Sequence, residues 1–271
     1  MLTGLGYEYL SLLEQKAYMV ILKAFSLMFV SLDCSQIASG VDLMKVIQVV
    51  LGDNPSITYF NKTQINIEES ALEKRIILSG IHLKPQAKKM SMALDVTANL
   101  ITSSLKATSS NEYSLLINTY EFLQKSVLYD YDELQANIKG ICRTPASHNA
   151  YGALINKKAV CDGFSSAFNL LVQKLGFKCM LVIGKSTYTS TNTVNHAWNI
   201  IKVRDNYYHM DITWDARKYV EFNETSYAYF GLSDDDVQAD HEWDKKATPR
   251  CLYNDFSYYK KTDYSQMMQS N

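Results

Sequence analysis

The chain contains 271 residues, with 27 lysines and arginines, 28 aspartates and glutamates and a formal net charge of −1. This length allows a full hydrophobic core, in one large domain or two small ones. The balanced charge and the lack of basic tracts argue against an electrostatic nucleic-acid interface, so we expect no nucleic-acid partner. The five cysteines form no Cys-x-x-Cys pair and the five histidines lack paired ligand spacing, so we expect no metal or other cofactor.

The first hundred residues predict a mainly helical region, here called the leader region, residues 1–105. Hydrophobic spacing indicates helices over about 8–31, 41–51 and 85–105, and a short strand pair is predicted at 56–67 and 75–83. The stretch 102–111 is rich in serine and threonine and predicts a linker. A helix over about 111–128 then opens the second region, residues 111–271.

Residues 17–32 form the most apolar stretch and raise the question of a signal or membrane anchor. Lys23 interrupts this stretch, acidic residues precede it, and it is short for a bilayer span. Apolar side chains recur at helical spacing at positions 10, 13, 17, 20, 21, 24 and 28. We therefore expect a packed amphipathic helix, no membrane span and a cytoplasmic protein. Secretion is the alternative if a signal has been removed.

Cys161 opens a segment with a helical pattern. Apolar residues recur at helical spacing from Phe168 to Leu175, and Gly176 stands where a C-terminal cap is expected. A cysteine at a helix N-terminus lies near free backbone N–H groups and the positive end of the helix dipole, which both favour the thiolate. Gly163 leaves room for a close backbone approach. This segment therefore predicts an activated thiol.

His196 and Asp211 lie in two consecutive segments that read as strands, 195–203 and 207–213, after an earlier apolar strand over 178–184. The residues between the two segments predict a hairpin turn.

The register of this hairpin depends on its turn. A two-residue turn at Arg204 and Asp205 pairs Trp198 with Asp211, so that His196 and Asp211 share one face as diagonal neighbours. A turn one residue later keeps them on one face but two residues further apart. A three-residue loop would place them on opposite faces.

A thiol nucleophile needs an imidazole that holds it as thiolate, and the imidazole needs a carboxylate that fixes its tautomer. Cys161, His196 and Asp211 are the candidates for these three roles, with the Cys161 sulfur expected about 3–4 Å from one ring nitrogen and Asp211 at the other. His209 is the rival imidazole because it shares the strand face of Asp211. Asp215 is the rival carboxylate, four residues further on.

Several segments, in order over about residues 113–251, resemble the transglutaminase-like superfamily, in particular its bacterial members. The segments that carry the resemblance are 148–154, 158–164, 196–199, 211–215, 229–234 and 240–243. The resemblance implies an α+β fold with a papain-like core, in which a cysteine on a helix N-terminus packs against an antiparallel sheet that carries His and Asp. It implies the same three catalytic positions. The family contains peptidases, amidases, cross-linking enzymes and inactive binding proteins, so it does not imply a substrate.

Four further residues are candidates for the cleft. His148 and Tyr151 precede Cys161 and either line the cleft as oxyanion donors or belong to a loop that packs on the Cys161 helix. Trp198 and Trp214 flank the strand positions of the triad and are either core aromatics or substrate contacts. The oxyanion hole normally includes the backbone N–H of the nucleophile, which needs no side-chain signature.

The residues favour a thiol acyl-transfer enzyme that acts on peptide or carboxamide bonds of a protein or peptide substrate. Water is the default acceptor and no acidic amine-binding motif stands out, so we expect a cysteine peptidase or amidase. The first alternative is a cross-linking or deamidating transglutaminase, because the same thioester can be attacked by an amine. The second is a catalytically silent binding module on the same fold. The oligomeric state is not predicted.

The leader region carries long apolar faces and only one histidine, His82, so we expect it to pack on the second region, on another subunit or along one wall of the cleft. A fragment that begins near Asn111 should be aggregated or poorly soluble, since each apolar side chain left in water forgoes about 1.5–3 kcal/mol of burial free energy. Solubility and activity of the purified fragment check this expectation. A soluble and fully active fragment would show that the leader region is an independent module.

Overall fold

The computed structural model describes residues 3–70, 73–80, 82–189 and 192–258. The chain has a mixed α+β fold in which an antiparallel sheet packs against helices. The helices are α1 (Leu12–Ser26), α2 (Leu43–Asp53), α3 (Lys84–Thr108), α4 (Glu112–Ser126), α5 (Tyr131–Ile138), α6 (Cys161–Lys174), α7 (Ile212–Phe222) and α8 (Asp234–Val237). The strands are β1 (Ser31–Asp33), β2 (Ile65–Glu69), β3 (Lys74–Leu78), β4 (Leu128–Tyr129), β5 (Lys158–Ala159), β6 (Lys178–Thr189), β7 (Asn192–Val203), β8 (Asn206–Met210), β9 (Phe230–Leu232) and β10 (His241–Trp243).

The leader region builds a hydrophobic core of its own from α1, α2 and the antiparallel sheet β1-β3-β2. Helix α1 is shorter than the predicted helix 8–31. It begins after Ser11, whose hydroxyl and Glu14 form a capping box, and it ends at Ser26 before Met28 adopts a left-handed conformation. The predicted strand over 56–67 was also too long, since only its end joins β2.

Helix α3 joins the leader region to the second region. It extends through Thr108, so most of the predicted linker over 102–111 is helical and only Ser109 and Ser110 separate α3 from the capping residue of α4. Thr102 is buried and donates its hydroxyl to the carbonyl of Ala98 at 2.8 Å, which satisfies its polar group within the helix. The same helix contributes to the leader core near its start and to the core of the second region from Leu94 onward.

The second region contains a five-stranded sheet in the order β10-β6-β7-β8-β9, in which every neighbouring pair is antiparallel. Helix α6 lies against β6 and β7 and also contacts α3, α4 and α7. Ten consecutive residues of α6, from Gly163 to Val172, are buried, and Gly176 ends the helix with φ +97°. The predicted Cys161 helix and its glycine cap are therefore both present.

The hairpin between β7 and β8 has the first of the predicted registers. Val203 pairs with Asn206, so the turn consists of Arg204 and Asp205, and Arg204 takes the positive φ that such a turn requires. The strand prediction for 207–213 was wrong beyond Met210. The Asp211 side chain caps a helix instead, and α7 begins at the next residue.

The start of the described chain reaches the sheet of the second region. Leu5 is 1% exposed and packs with Met180, Val182, Trp198 and other buried side chains of the sheet. The leader region is therefore docked on the second region, as expected. No helix in the described part of the chain is both long enough and apolar enough to cross a membrane.

The packing of α3 predicts that Leu94→Ala costs about 2–5 kcal/mol of unfolding free energy, because Leu94 is 1% exposed within the core of the second region. Leu100→Ala is the matched control on the same helix, since Leu100 is 69% exposed. Urea or guanidinium unfolding of both variants measures the difference. Equal stability of the two variants would contradict the joint core described above.

Candidate active site

Cys161 is the first residue of α6, where the backbone N–H groups have no intrahelical acceptor. The start of α6 is fixed against the preceding loop, because the N–H of Val160 donates to the Ser147 carbonyl at 3.0 Å. A Cβ on Gly163 would meet that same carbonyl oxygen at 2.2 Å, so only glycine permits this approach. Cys161 itself is half-buried. The thiol therefore sits at the rigid N-terminus of a buried helix with part of its surface accessible.

His196 and Asp211 form a buried hydrogen-bonded pair. His196 Nε2 lies 2.6 Å from Asp211 Oδ2, and the two residues are 6% and 3% exposed. Cys161 lies close enough to His196 to raise the pKa of its imidazole. The structure thus brings together the three residues that the sequence singled out.

Asp211 is held by contacts on every side. Its Oδ1 accepts the backbone N–H groups of Thr213 and Trp214 at 3.0 and 3.3 Å and so caps α7. Its own carbonyl accepts the Tyr120 hydroxyl at 2.7 Å. Because α7, α4 and the β7–β8 hairpin all fix this residue, the carboxylate faces His196 in one orientation.

His241 belongs to the same hydrogen-bond network, although the sequence analysis assigned this residue no role. Its Nε2 lies 3.1 Å from Asp211 Oδ2 and its Nδ1 lies 2.5 Å from Asp240 Oδ1. Asp240 Oδ2 in turn accepts the Tyr229 hydroxyl at 2.5 Å. The segment 240–243 carried part of the family resemblance, but nothing in its pattern pointed to Asp211, 30 residues away.

The pKa of His196 reflects a balance of burial and charge. Burial lowers it, but the charge of Asp211, the hydrogen bond to Asp211 and the contact with Cys161 outweigh burial and raise the pKa to about 10. Burial raises the pKa of Asp211, yet the charge and hydrogen bond of His196, with those of His241, bring it well below the usual value.

These two pKa shifts define the pH range in which the His196–Asp211 pair stabilises the fold. The raised pKa of His196 contributes stability that is fully present below about pH 6.5 and is lost as the pH rises toward 10. The lowered pKa of Asp211 contributes stability that is present above about pH 4 and is lost as the pH falls below that value. The charged pair is therefore favoured through the neutral range.

The two rival residues are engaged elsewhere. His209 Nδ1 accepts the indole N–H of Trp198 at 2.9 Å and its Nε2 lies 3.0 Å from Asp234. Asp215 accepts hydroxyl groups of Tyr120 and Ser226 at 2.6 and 2.5 Å and two backbone N–H groups. Burial raises the pKa of Asp215 to about 6. Neither residue hydrogen-bonds to His196, and both fix the elements around the site.

His148 lies beside the Cys161 helix and is bound on both ring nitrogens. Its Nδ1 lies 3.0 Å from both oxygens of Asp162, and its Nε2 lies 3.2 Å from Glu133 and 2.9 Å from Asn137. Burial lowers the pKa of His148, but the hydrogen bonds and charge of Asp162, with Glu133, raise it above the ordinary value. His148 therefore ties its loop to the first turn of α6. Tyr151 is half-buried and packs against the main hydrophobic cluster.

The two tryptophans differ in exposure. Trp198 is completely buried and stacks on His196 with ring centroids 5.8 Å apart, so it is a core residue with no surface for a substrate. Trp214 is half-buried, and its ring centroid lies 6.2 Å from that of His196 and 5.0 Å from that of His241. Of the two, only Trp214 has surface beside the imidazole that a substrate could contact.

Side chains of metal-ligand type gather at three places among the described residues, with their ligand atoms within 4.8 Å of one another. These groups are Glu133 with Cys142 and His148, His196 with Asp211 and His241, and His209 with Asp234 and Cys251. In each group the histidine and the carboxylate already hydrogen-bond to one another.

The leader region contributes contacts to α6 that no motif indicated. Asn169 donates its amide to the Gly52 carbonyl at 2.7 Å, Gln173 donates to the Asp53 carbonyl at 3.1 Å, and Lys62 Nζ donates to Ser166 Oγ at 3.3 Å. The last contact lies on the first turns of the helix, close to Cys161. One face of the helix that carries the thiol is thus covered by the leader region.

Residues 101–212 match the family model of the Transglutaminase-like superfamily. The resemblance inferred from the motifs is therefore confirmed, and the matched segment contains Cys161, His196 and Asp211. It ends before His241. The comparison with curated proteins gave no match.

Three solved structures are similar to part of the chain at low identity. A "TGase" shares 15% sequence identity with this chain at a TM-score of 0.40. The match covers 55% of this chain and 44% of the TGase. A "putative cysteine protease" from Cytophaga hutchinsonii shares 11% sequence identity with this chain at a TM-score of 0.35. The match covers 55% of this chain and 61% of that protease. A "putative protease" from Parabacteroides distasonis shares 8% sequence identity with this chain at a TM-score of 0.30. The match covers 54% of this chain and 35% of that protease. The chain therefore spans less than two thirds of the length of each of these three proteins.

The buried pair predicts that the pKa of His196 lies well above 6.5 in the native protein and falls steeply in Asp211→Asn, because burial is then no longer opposed by a carboxylate. Titration of the imidazole signals by NMR measures both values. His209 serves as the internal control, since burial lowers its pKa and its partner Asp234 is unchanged by the substitution. A His196 pKa near 6.5 in both proteins would contradict the arrangement.

Proposed function

We propose that this protein is a thiol acyl-transfer enzyme in which Cys161 is the nucleophile, His196 the proton carrier and Asp211 the group that orients the imidazole. The observation that carries the proposal is the proximity of Cys161 to an imidazole that a buried carboxylate binds at 2.6 Å. A protonated imidazole beside a cysteine stabilises the thiolate, and the position of Cys161 at the N-terminus of α6 adds to this effect.

In the first half of the reaction, the Cys161 thiolate attacks the carbonyl carbon of a peptide or carboxamide, and a C–S bond forms. Backbone N–H groups at the start of α6, including that of Cys161, donate hydrogen bonds to the carbonyl oxygen as it becomes negatively charged. His196 gives its proton to the departing amine as the C–N bond breaks. The product is a thioester on Cys161 and a free amine.

In the second half, an acceptor gives a proton to His196 and attacks the thioester, and Cys161 leaves as thiolate. Water as the acceptor yields a carboxylic acid, and a primary amine yields a new amide bond. We favour water, because water is the default acceptor and no acidic amine-binding motif stands out in the sequence. The protein is then a cysteine peptidase or amidase.

The variants of the three proposed catalytic residues test the proposal. Cys161→Ala and His196→Ala should each lower the rate of acyl transfer by on the order of 10⁴-fold or more, while Asp211→Asn should lose less. Rates with a panel of peptide and carboxamide donors measure the loss, and circular dichroism verifies that each variant is folded. An undiminished rate in Cys161→Ala would end the proposal.

The acceptor is decided by running the same donors with and without a primary amine. Hydrolysis predicts release of the acid in both mixtures, whereas incorporation of the amine into the acyl product would identify a transglutaminase. Donors of differing side chain also reveal which acyl group the site prefers.

Thiol labelling separates an enzyme from a catalytically silent binding module. Iodoacetamide at neutral pH should modify Cys161 before Cys142, the other half-exposed cysteine, because burial raises the pKa of the Cys142 thiol. Cys34, Cys179 and Cys251 are buried and should react last. Peptide mapping of the alkylated protein gives the order. Slow and equal labelling of Cys161 and Cys142 would favour the binding module.

A further inference from the structure

Lys62 enters the site from the leader region on a segment that is itself fixed. Tyr59 and Phe60, which precede it, are 4% and 2% exposed in the leader core. Asn61 is also buried, and its side-chain oxygen accepts the backbone N–H and the hydroxyl of Thr63 at 3.0 and 2.8 Å. These contacts close a tight turn around Lys62. The lysine side chain is therefore directed by a rigid backbone toward the start of α6.

In the described part of the chain, Lys62 Nζ donates to the Ser166 hydroxyl at 3.3 Å and forms no direct ion pair. An ammonium carries three N–H donors, so Lys62 can donate to a ligand as well as to Ser166. Lys62 is half-buried, and burial lowers its pKa while the charges of Asp162 and Cys161 act in the opposite direction. A cation in this position gains from an anionic ligand, because a partly buried charge without full hydrogen bonding is costly.

Asp162, the carboxylate whose charge acts on Lys62, already hydrogen-bonds to another residue. Both oxygens of Asp162 face His148 Nδ1 at 3.0 Å, and Glu133 faces His148 Nε2 and the backbone N–H groups of Arg143 and Thr144. Burial lowers the pKa of His148, but the hydrogen bonds and charge of Asp162, with the hydrogen bond of Glu133, outweigh burial and raise it. Among the described residues, Lys62 thus forms an ion pair with neither acid, although the charge of Asp162 acts on it.

From these contacts we propose that Lys62 forms an anion-binding subsite beside Cys161, and that the acyl donor carries a carboxylate close to the reacting carbonyl. The inference rests on the proposed function for its location, because the subsite selects what Cys161 attacks. It adds to that function a substrate class and a role for the leader region. The carboxylate belongs either to an acidic side chain or to the end of a peptide chain.

The subsite can be tested on the full chain without a known substrate, by the rates at which two small reagents alkylate Cys161. Iodoacetate carries a carboxylate and iodoacetamide is its neutral counterpart of nearly the same size. Changes in the nucleophilicity of the thiol affect both rates, so the ratio of the two isolates the contribution of the carboxylate. In Lys62→Met the iodoacetate-to-iodoacetamide ratio should fall on the order of tenfold, the effect of losing one charged hydrogen bond.

Two variants serve as controls. Lys62→Arg keeps the positive charge and should keep most of the ratio. Lys88→Met removes an exposed lysine from the first turns of α3 and should leave the ratio unchanged. Thermal unfolding of each variant shows whether the leader region stays docked.

The source of the carboxylate is resolved with larger reagents of the same chemistry. N-iodoacetylglycine presents a terminal carboxylate, the α-amide of N-iodoacetylaspartate presents a side-chain carboxylate, and N-iodoacetylglycinamide is neutral. The carboxylate that matches the natural donor should show the larger advantage, and that advantage should disappear in Lys62→Met.

The outcomes separate the two proposals. A ratio that is the same in the native protein and in Lys62→Met overturns the subsite, even where Cys161 reacts fast. Equal slowing of both reagents in Lys62→Met also overturns it, since Lys62 would then act on the thiolate itself. If neither reagent alkylates Cys161 faster than Cys142 in the native protein, the result instead contradicts the proposed function.

Discussion

The site depends on one buried carboxylate, that of Asp211. Its Oδ2 binds His196 and His241, and its Oδ1 caps α7. A buried charge is tolerated only where it is paired and hydrogen-bonded, so removing one partner of such a pair is expected to destabilise by about 3–5 kcal/mol. The same interaction that holds the imidazole thus joins α7, the sheet and β10. The fold and the proposed chemistry share this residue, so a substitution at Asp211 should affect both.

The helix that carries Cys161 is held from two sides. The sheet and α4 enclose its apolar face, and the leader region binds its other side through Asn169, Gln173 and Ser166. A thiol that must meet an imidazole within hydrogen-bonding distance tolerates little movement of its helix. The leader region therefore acts as part of the support of the site. Helix α3, which enters both hydrophobic cores, is the element that couples the two regions.

The parts of the fold that the sequence predicted are those encoded by local patterns. The Cys161 helix follows from apolar spacing and a glycine cap, and the β7–β8 register follows from a two-residue turn. Helix α7 was missed because alternation continues past Met210, although the Asp211 side chain ends the strand by capping. The linker at 102–111 was predicted from composition, but the hydroxyls of Thr102, Thr108 and Ser109 bond to carbonyls four residues earlier, within α3 or at its end.

The candidate site was predicted only as far as its motifs extend. Cys161, His196 and Asp211 each lie in a recognisable local context, and their segment matches the family model. His241 lies on a three-residue strand at the sheet edge, and Lys62 lies in a turn about a hundred residues before Cys161. Such long-range contacts come from the topology of the chain, and no spacing rule within one sequence reports them.

The most direct test of the central claim is to trap the acyl group on the protein. The native chain is mixed with p-nitrophenyl acetate at neutral pH, quenched in acid to preserve thioesters, and mapped by peptide mass spectrometry. If Asp211 and His196 hold Cys161 as a reactive thiolate, the acetyl group should appear on Cys161 within the first turnover and should be absent from that position in His196→Ala. Acetylation confined to Cys142 or to lysines in the native protein, or unchanged acetylation of Cys161 in His196→Ala, would contradict the account.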